Sequence, residues 1–331
     1  MPSNISNKKT SLSPFAQFTH KGRPLQEKDG SLTDGKATFP IRDGIPRFTP
    51  DQSYSTGNFS KLRENHATLQ LDSLNGTTDR LNTVLNRTRW PKDFFKGKTV
   101  LECGCGAGPD TEILLNLGAK VVSVDIAGVD VARRNLAPNP NSSNVQFVQD
   151  SIADLHLKPN SFDIVFCHRV LQHTPDPAAT LKHILQFVKK DGSIFVHSYS
   201  NSTFQMRRWK YALLPFTNKL PPVLLYSIIQ LYAWPVFFAT NLTNKIKIGE
   251  KFNHIFVPFL NYRSSKKFAQ KSNRFIVEYG VHDTFDALSP PYDKPLSPEE
   301  MEQIAKKALG DKAPQFDVYI DTGMTLLRTK L

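Results

Sequence analysis

Residues 99–109, Thr99-Val-Leu-Glu-Cys-Gly-Cys-Gly-Ala-Gly-Pro109, join a short apolar strand to a glycine-rich loop. Glycines at 104, 106 and 108 let the backbone turn and approach a ligand closely, because no Cβ stands in the way. Pro109 suits the first position of a helix, where its missing N–H would be unpaired anyway. A loop that follows a strand and opens a helix is the setting of a nucleotide-binding site. The dinucleotide pattern needs glycine at position 109, so the proline there disfavours a dinucleotide.

From Lys98 onward, apolar segments alternate with helix-like segments. Strands are predicted at residues 99–102, 120–125, 145–150, 162–167 and 192–197, and helices at residues 109–117, 129–135 and 178–188. Strands separated by helices form a parallel sheet through right-handed crossovers. Residues 315–330 alternate in polarity about an Asp-Thr-Gly turn, which predicts a hairpin. The predicted fold is therefore α/β, with five parallel strands and a closing antiparallel hairpin.

Acidic residues stand at three strand ends near the loop. Asp125 ends the second strand, where a carboxylate can accept hydrogen bonds from both ribose hydroxyls of an adenosine. Asp150 ends the third strand, where it can reach the adenine amino group with Ser151 beside it. Glu102 precedes the loop and can organise its amides and a methionine amine. Each acid alone also fits a strand-end cap, but their order and spacing favour an adenosine ligand.

These segments resemble the motifs of class I S-adenosylmethionine (SAM)-dependent methyltransferases: residues 100–108, 122–125, 148–151, 162–175 and 188–192. The resemblance implies a Rossmann-like fold, SAM as the cofactor and S-adenosylhomocysteine as its product. It also implies the cofactor contacts Glu102, Gly104, Cys105, Gly106, Asp125, Ile126, Asp150, Ser151 and His168.

The N-terminal region, residues 1–57, is rich in turns and reads as a small strand-and-turn module with a loose start. Residues 39–48 resemble the end of the zinc-ribbon activator subunits of tRNA and protein methyltransferases. No cysteine precedes Cys103, so no zinc site is carried over, and we interpret the segment as a lid or scaffold. The further division is a core with a helical lead-in at 58–203, an insertion at 204–290, and a closing helix and hairpin at 291–331.

The cysteines are few and clustered, at positions 103, 105 and 167. Such usage indicates a reducing compartment and disfavours a disulfide scaffold. Residues 1–10 contain no apolar secretory segment. We therefore expect a cytoplasmic protein, and no metal site, because the Cys103 and Cys105 pair has no second pair of ligands near it.

Candidate acceptor residues follow strands four and five. His173 is the first choice for a general base, since histidine titrates near neutral pH, and a structural role in orienting the loop stays open. His197 and Tyr199 follow strand five, while His282 and Tyr292 lie in a polar stretch at 281–293. Residues 289–292, Ser-Pro-Pro-Tyr, look like an amino-methyltransferase element, but they do not follow strand four and are interpreted as a turn.

The insertion carries most of the basic excess. The net charge of the chain is +12, and residues 204–275 contain 12 Lys or Arg against the single acid Glu250. This balance indicates an anionic partner or a solvated basic face. Residues 221–244 carry no charge and are almost long enough to span a bilayer. A span would separate the hairpin from its sheet, so an interfacial helix, a pocket wall or a packed cap is favoured.

The sequence thus predicts a SAM-dependent methyltransferase that acts on oxygen of a small-molecule, sugar or lipid-linked acceptor. An RNA methyltransferase and a non-catalytic SAM-binding interaction protein are the alternatives. Nucleic acid is the less favoured partner, because the basic segment is interleaved with aliphatic residues. The expected location is the cytoplasm, with peripheral contact at the inner face of the membrane through residues 204–275 as a further option.

Overall fold

The N-terminal region folds into small antiparallel sheets against the core. The computed structural model describes residues 12–49, 64–201, 209–265, 268–310, 315–321 and 323–330, so the predicted loose start and residues 50–57 of the module lie outside the described residues. The strands of this region are β1 Thr19–His20, β2 Arg23–Pro24, β3 Gln26–Lys28, β4 Ser31–Thr33, β5 Thr38–Arg42 and β6 Ile45–Pro46. Strands β1 and β2 pair with each other, and β3 to β6 form a four-stranded sheet.

The central sheet has seven strands. They are β7 Thr99–Cys103, β8 Lys120–Asp125, β9 Val145–Gln149, β10 Phe162–His168, β11 Val188–Tyr199, β12 Phe316–Asp321 and β13 Met324–Thr329. Their order is β12-β13-β11-β10-β7-β8-β9. Strands β7 to β11 are parallel, and the β12–β13 hairpin adds antiparallel to β11. The prediction of five parallel strands closed by a hairpin, a Rossmann-like fold, is confirmed.

Helices cover both faces of the sheet. They are α1 Asp72–Asn75, α2 Asp79–Thr88, α3 Pro109–Asn116, α4 Val129–Leu136, α5 Pro177–Ile184, α6 Trp209–Thr217, α7 Pro222–Thr243, α8 Lys247–Phe256, α9 Asn273–Leu288 and α10 Pro298–Leu309. Neighbouring residues of one strand enter different cores: Leu101 joins one apolar cluster and Val100 the other. Parallel strands buried on both faces need this near-continuous apolar sequence.

The helices α6, α7 and α9 form a third apolar cluster beside the carboxyl ends of the strands. Ile229, Phe237, Ile276 and Phe285 are fully buried in it. Residues 281–288 belong to α9 rather than to a loop, because Val281, Phe285 and Leu288 recur at helical spacing and bury one face. The predicted helix at 178–188 ends at Ile184 and continues as a 3-10 turn, since β11 begins four residues earlier than predicted.

Candidate active site

The glycine loop between β7 and α3 adopts a backbone conformation that residues with a Cβ atom rarely adopt. Gly104, Gly106 and Gly108 all have positive φ, at 86°, 56° and 92°. A Cβ at Gly104 would collide with the side chain of Val170, and one at Gly128 would collide with the carbonyl of Gly106. The loop is therefore packed from two sides in a shape that glycine allows, and it presents backbone rather than side chains to the space beyond β7.

Asp125 holds the loop in place from the end of β8. Its Oδ2 accepts the N–H of Gly106 at 2.8 Å, and its Oδ1 accepts the N–H groups of Ala127 and Gly128, each at 2.8 Å. The carboxylate is half-buried and lines a cavity. A carboxylate oxygen can accept more than one hydrogen bond, so Asp125 can organise the loop and still bind a ligand hydroxyl.

Asp150 follows β9 and is almost fully occupied by protein donors. Its Oδ1 accepts the N–H of Ser151, and its Oδ2 accepts the N–H of His156, both at 2.8 Å, while the His156 ring lies 3.1 Å away. Burial raises the pKa of Asp150 above its usual value in spite of these hydrogen bonds. The His156 ring in turn stacks on Phe48 at 4.4 Å, so the N-terminal region braces this corner of the cavity.

Glu102 lies beneath the loop instead of facing the cavity. Its Oε2 accepts the hydroxyls of Thr111 at 2.6 Å and Ser123 at 2.7 Å. Burial raises its pKa to about 7, and Asp110 nearby adds to the rise. The described hydrogen bonds include none between Glu102 and the loop amides, because hydroxyls of α3 and β8 hold its Oε2. Contact of Glu102 with a ligand amine stays a prediction.

His168 belongs to a chain of charged groups at the end of β10. Its Nδ1 lies 2.8 Å from Asp110, which also forms a bidentate ion pair with Arg80, and its Nε2 lies 2.7 Å from Arg87. Burial and the neighbouring guanidinium of Arg80 lower the pKa of His168 to about 3. The neutral ring consequently donates from Nδ1 to Asp110 and accepts at Nε2 from Arg87.

A cavity of about 290 Å³ extends from the glycine loop to the helices α6 and α9. The sequence-predicted residues that line it are Gly104, Cys105, Gly106, Asp125, Ile126, Asp150, Ser151, His168, His173, Tyr199 and His282. Glu102, His197 and Tyr292 do not line it. His197 is fully buried at the end of β11, where burial and the adjacent His168 hold its pKa well below the usual range.

His173 lines the cavity and belongs to the 3-10 turn after β10. It is buried, and its Nδ1 lies 3.1 Å from the carbonyl oxygen of Tyr292. A carbonyl accepts only, so Nδ1 carries the proton and the lone pair of the neutral ring sits on Nε2. The Tyr199 ring packs edge-on at 5.6 Å. This tautomer is the one a proton acceptor at Nε2 requires, and the same contact orients the loop.

The helices α6 and α9 and the segment before α9 close the far side of the cavity with polar and aromatic groups. Asp283 accepts hydrogen bonds from His282 at 2.8 Å and from the hydroxyl of Tyr262. Burial raises the pKa of Asp283, but these two donors outweigh it and hold the pKa below its usual value. Burial and the Asp283 carboxylate together raise the pKa of Tyr262 well above its ordinary range.

Two cationic side chains that the sequence did not single out reach this end of the cavity. Arg169 follows His168 in left-handed backbone (φ 63°), and its N–H donates to the carbonyl of His197 at 2.8 Å. Its Nε is buried and has no hydrogen-bond partner among the described residues. Lys210 forms an ion pair with Asp293 and lies 4.1 Å above the Tyr199 ring. The far end of the cavity therefore combines these two cations with the carboxylates of Asp283 and Asp286.

Residues 101–196 match the family model described as "Methyltransferase domain". Together with the sheet order and the glycine loop, this match defines the class: the region is a SAM-dependent methyltransferase domain, and its cofactor is SAM. The match does not extend to the N-terminal region, so the resemblance of residues 39–48 to activator subunits has no support from it.

Curated relatives are similar over the same region. The ubiquinone biosynthesis O-methyltransferase of Serratia proteamaculans is 29% identical over 136 residues, covering 41% of this chain and 54% of the relative. That of Xanthomonas campestris pv. campestris strain B100 is 33% identical over 124 residues, covering 37% and 50%. The chain thus spans about half the length of the curated relatives it matches. A SAM-dependent methyltransferase structure from Mesorhizobium loti aligns with a TM-score of 0.33 at 19% identity, covering 39% of this chain and 56% of that one.

Proposed function

We propose that the protein transfers the methyl group of SAM to a hydroxyl oxygen of a small amphiphilic acceptor, such as a sugar or a lipid-linked molecule. One cavity is lined by the glycine loop and Asp125, by polar groups of α6 and α9, and by His173. This juxtaposition carries the proposal. We assign residues 204–290 as the acceptor cap, since side chains from Trp209 to Ala287 close that end of the cavity.

The residues around the loop fit the cofactor. Gly104 and Gly106 would admit the amino-acid end close to the backbone, Asp125 would accept the ribose hydroxyls, and Asp150 and Ser151 would border the adenine. When bound, SAM supplies an electrophilic methyl group on a sulfonium. The remaining tasks of the chain are to hold the acceptor in line, to exclude water and to take up the hydroxyl proton.

His173 is the proposed proton acceptor. The Tyr292 carbonyl fixes its tautomer, so Nε2 would receive the proton of an acceptor hydroxyl. His282 and Tyr199 would border the acceptor, and the guanidinium of Arg169 would favour an acceptor that carries a phosphate, carboxylate or other anionic group. Guanidinium groups suit such oxygen acceptors because their donors form a planar fork.

The relatives named as O-methyltransferases support oxygen as the methylated atom. Their match covers the cofactor-binding core and not the cap, so the acceptor of this chain is argued from its own cavity. We further propose a cytoplasmic location at the inner face of the membrane, in keeping with three buried free cysteines.

Transfer of label tests the proposal. The purified protein is incubated with SAM carrying a tritiated methyl group and a cell lysate, which is then separated into RNA, lipid and soluble small-molecule pools. Label in the lipid or small-molecule pool, lost with Asp125→Ala, is the expected result. Label in RNA would replace the proposal with RNA methylation. If the protein binds SAM but no pool carries label, the result would indicate a non-catalytic SAM-binding protein.

A further inference from the structure

Exposed apolar side chains are concentrated on one part of the insertion. Fourteen large apolar side chains are exposed in the described chain, and twelve of them lie between Phe216 and Phe256. Isolated exposed apolar residues are ordinary, but their concentration in one segment of the chain indicates a contact surface. Its members are Phe216, Val223, Leu224, Ile228, Leu231, Trp234, Phe238, Leu242, Ile246, Ile248, Phe252 and Phe256, which we call the apolar patch.

Helix α7 contributes an outward face to the apolar patch. Its inner face, at Leu225, Ile229, Ala233 and Phe237, is buried in the cap. On the opposite side exposed apolar residues recur at three- to four-residue spacing: Leu224, Ile228, Leu231, Trp234, Phe238 and Leu242. Both faces of a helix are apolar only when both are covered or when one meets a nonpolar medium.

Helix α8 continues the apolar patch and adds charge beside it. Ile248, Phe252 and Phe256 are four residues apart and form one exposed stripe, with the two phenylalanine rings 4.9 Å apart. Lys247 and Lys251 form the neighbouring exposed stripe. The side chain of Asn253 fixes α8 to the end of α7 through Thr243 at 2.6 Å and Asn244 at 2.7 Å.

Basic side chains flank α7, with Lys219 before it and Lys245 between it and α8, both exposed. Glu250 is the only acid between residues 204 and 275. An apolar face bordered by lysines is the composition of a helix that lies in the headgroup region of an anionic membrane. A protein partner would not require this arrangement of charge.

Helix α7 is long and apolar enough to cross a bilayer by length and composition. Its inner face, however, packs against other residues of the cap. The hydroxyl of Tyr232 donates to the carbonyl of Pro258 at 2.7 Å, and the amide of Asn261 donates to Thr240 at 2.7 Å. A crossing would break these contacts, so the packing favours a helix that lies parallel to the surface.

We infer that α7 and α8 dock the protein on an anionic lipid bilayer, with the apolar patch in the interface and the lysines at the headgroups. This inference deepens the proposed function and rests on it in one respect, the lipid-linked acceptor. If the cap lies on the membrane, such an acceptor would enter the cavity directly from the bilayer.

Vesicle flotation tests the inference without any acceptor. The full chain, loaded with S-adenosylhomocysteine, is mixed with vesicles of phosphatidylglycerol and phosphatidylcholine in equal amounts, or of phosphatidylcholine alone. We expect flotation with the anionic vesicles that falls sharply at high salt. Ile248→Asp with Phe252→Asp is expected to weaken binding at least about tenfold, because two apolar side chains leave the interface. Lys247→Glu with Lys251→Glu is expected to abolish the preference for anionic lipid.

Ile320→Asp is the matched control, since Ile320 is an exposed apolar side chain on the hairpin, outside the apolar patch. It is expected to float as the unsubstituted protein does. Failure of the unsubstituted protein to float, or undiminished flotation of the α8 variants, would overturn the inference. So would a lipid-free dimer in sedimentation velocity that the α8 substitutions convert to monomer, since a second copy would then cover the patch. Binding of S-adenosylhomocysteine, measured in the same samples, reports separately on the cofactor site.

Discussion

The Nδ1 atom of His173 lies 3.1 Å from the carbonyl oxygen of Tyr292, a residue 119 positions later in the chain. The contact joins the turn after β10 to the segment that leaves the cap. Two further bonds join the same segments: Lys294 donates its N–H to Gln172 at 2.9 Å and its Nζ to Pro175 at 2.9 Å. Three contacts therefore hold the turn that carries His173 against the segment that follows the cap.

Replacing His173 by asparagine separates its two roles. An asparagine amide can still donate to the Tyr292 carbonyl but cannot accept a proton at neutral pH. With His173→Asn we expect binding of S-adenosylhomocysteine to change little and methyl transfer to fall by roughly 10²- to 10⁴-fold, the range that a general base contributes. Single-turnover transfer of label measures the rate. A near-normal rate would show that His173 only orients the loop.

The sheet was predictable, and so was the meeting of Gly104, Asp125 and Asp150 around one cavity, because these signals are local. A strand, three glycines and a proline within eleven residues specify the loop, and acids at successive strand ends meet at one edge of a parallel sheet. Glu102 is the exception. Hydroxyls from α3 and β8 hold it beneath the loop, and sequence spacing alone does not place Thr111 and Ser123 beside it.

The acceptor side was less predictable because it depends on how residues 209–287 fold over the sheet. Arg169 carried one usable signal, its place directly after the last residue of β10. Lys210 and Tyr262 carried none, since their contacts with Asp293 and Asp283 join residues far apart in the chain. The main-chain role of Tyr292 is likewise invisible in the sequence, because any residue has a carbonyl oxygen.

Asp125→Asn tests two roles of this carboxylate together: the proposed ribose contact and the hydrogen bond that holds the glycine loop. An asparagine keeps one acceptor oxygen but presents an amide donor toward the N–H of Gly106, so one charge-assisted bond is lost. We expect S-adenosylhomocysteine to bind roughly 10- to 100-fold more weakly in calorimetry, as loss of about 1.5–3 kcal/mol implies. Asp130→Asn, which removes a carboxylate that pairs with Arg47, is the control and should bind normally.

Gly104→Ala tests the packing of the loop against Val170. The added Cβ meets that side chain in a left-handed backbone, so we expect a loss of unfolding free energy greater than the roughly 1–2 kcal/mol of backbone strain alone. Gly76→Ala supplies that baseline, because Gly76 also has positive φ and no atom lies within 4 Å of its added Cβ. Combining Gly104→Ala with Val170→Ala should recover the excess in urea titrations. If the double variant recovered no unfolding free energy, contact with Val170 would not be the cause of the excess loss.

Glu102 makes stability depend on pH. Its carboxyl loses its proton near pH 4.5 in the unfolded chain but keeps it in the fold until about pH 7. The free-energy cost of burying Glu102 therefore grows as pH rises from 4.5 to about 7. Above that range the cost is constant, at about 3 kcal/mol. Glu102→Gln removes the titration and leaves an amide oxygen for Thr111 and Ser123. We expect the variant to be the more stable protein at about pH 8, with an advantage that shrinks toward about pH 5, in urea unfolding at stepped pH. A difference between the two proteins that stays constant across the window would contradict the burial of a protonated Glu102.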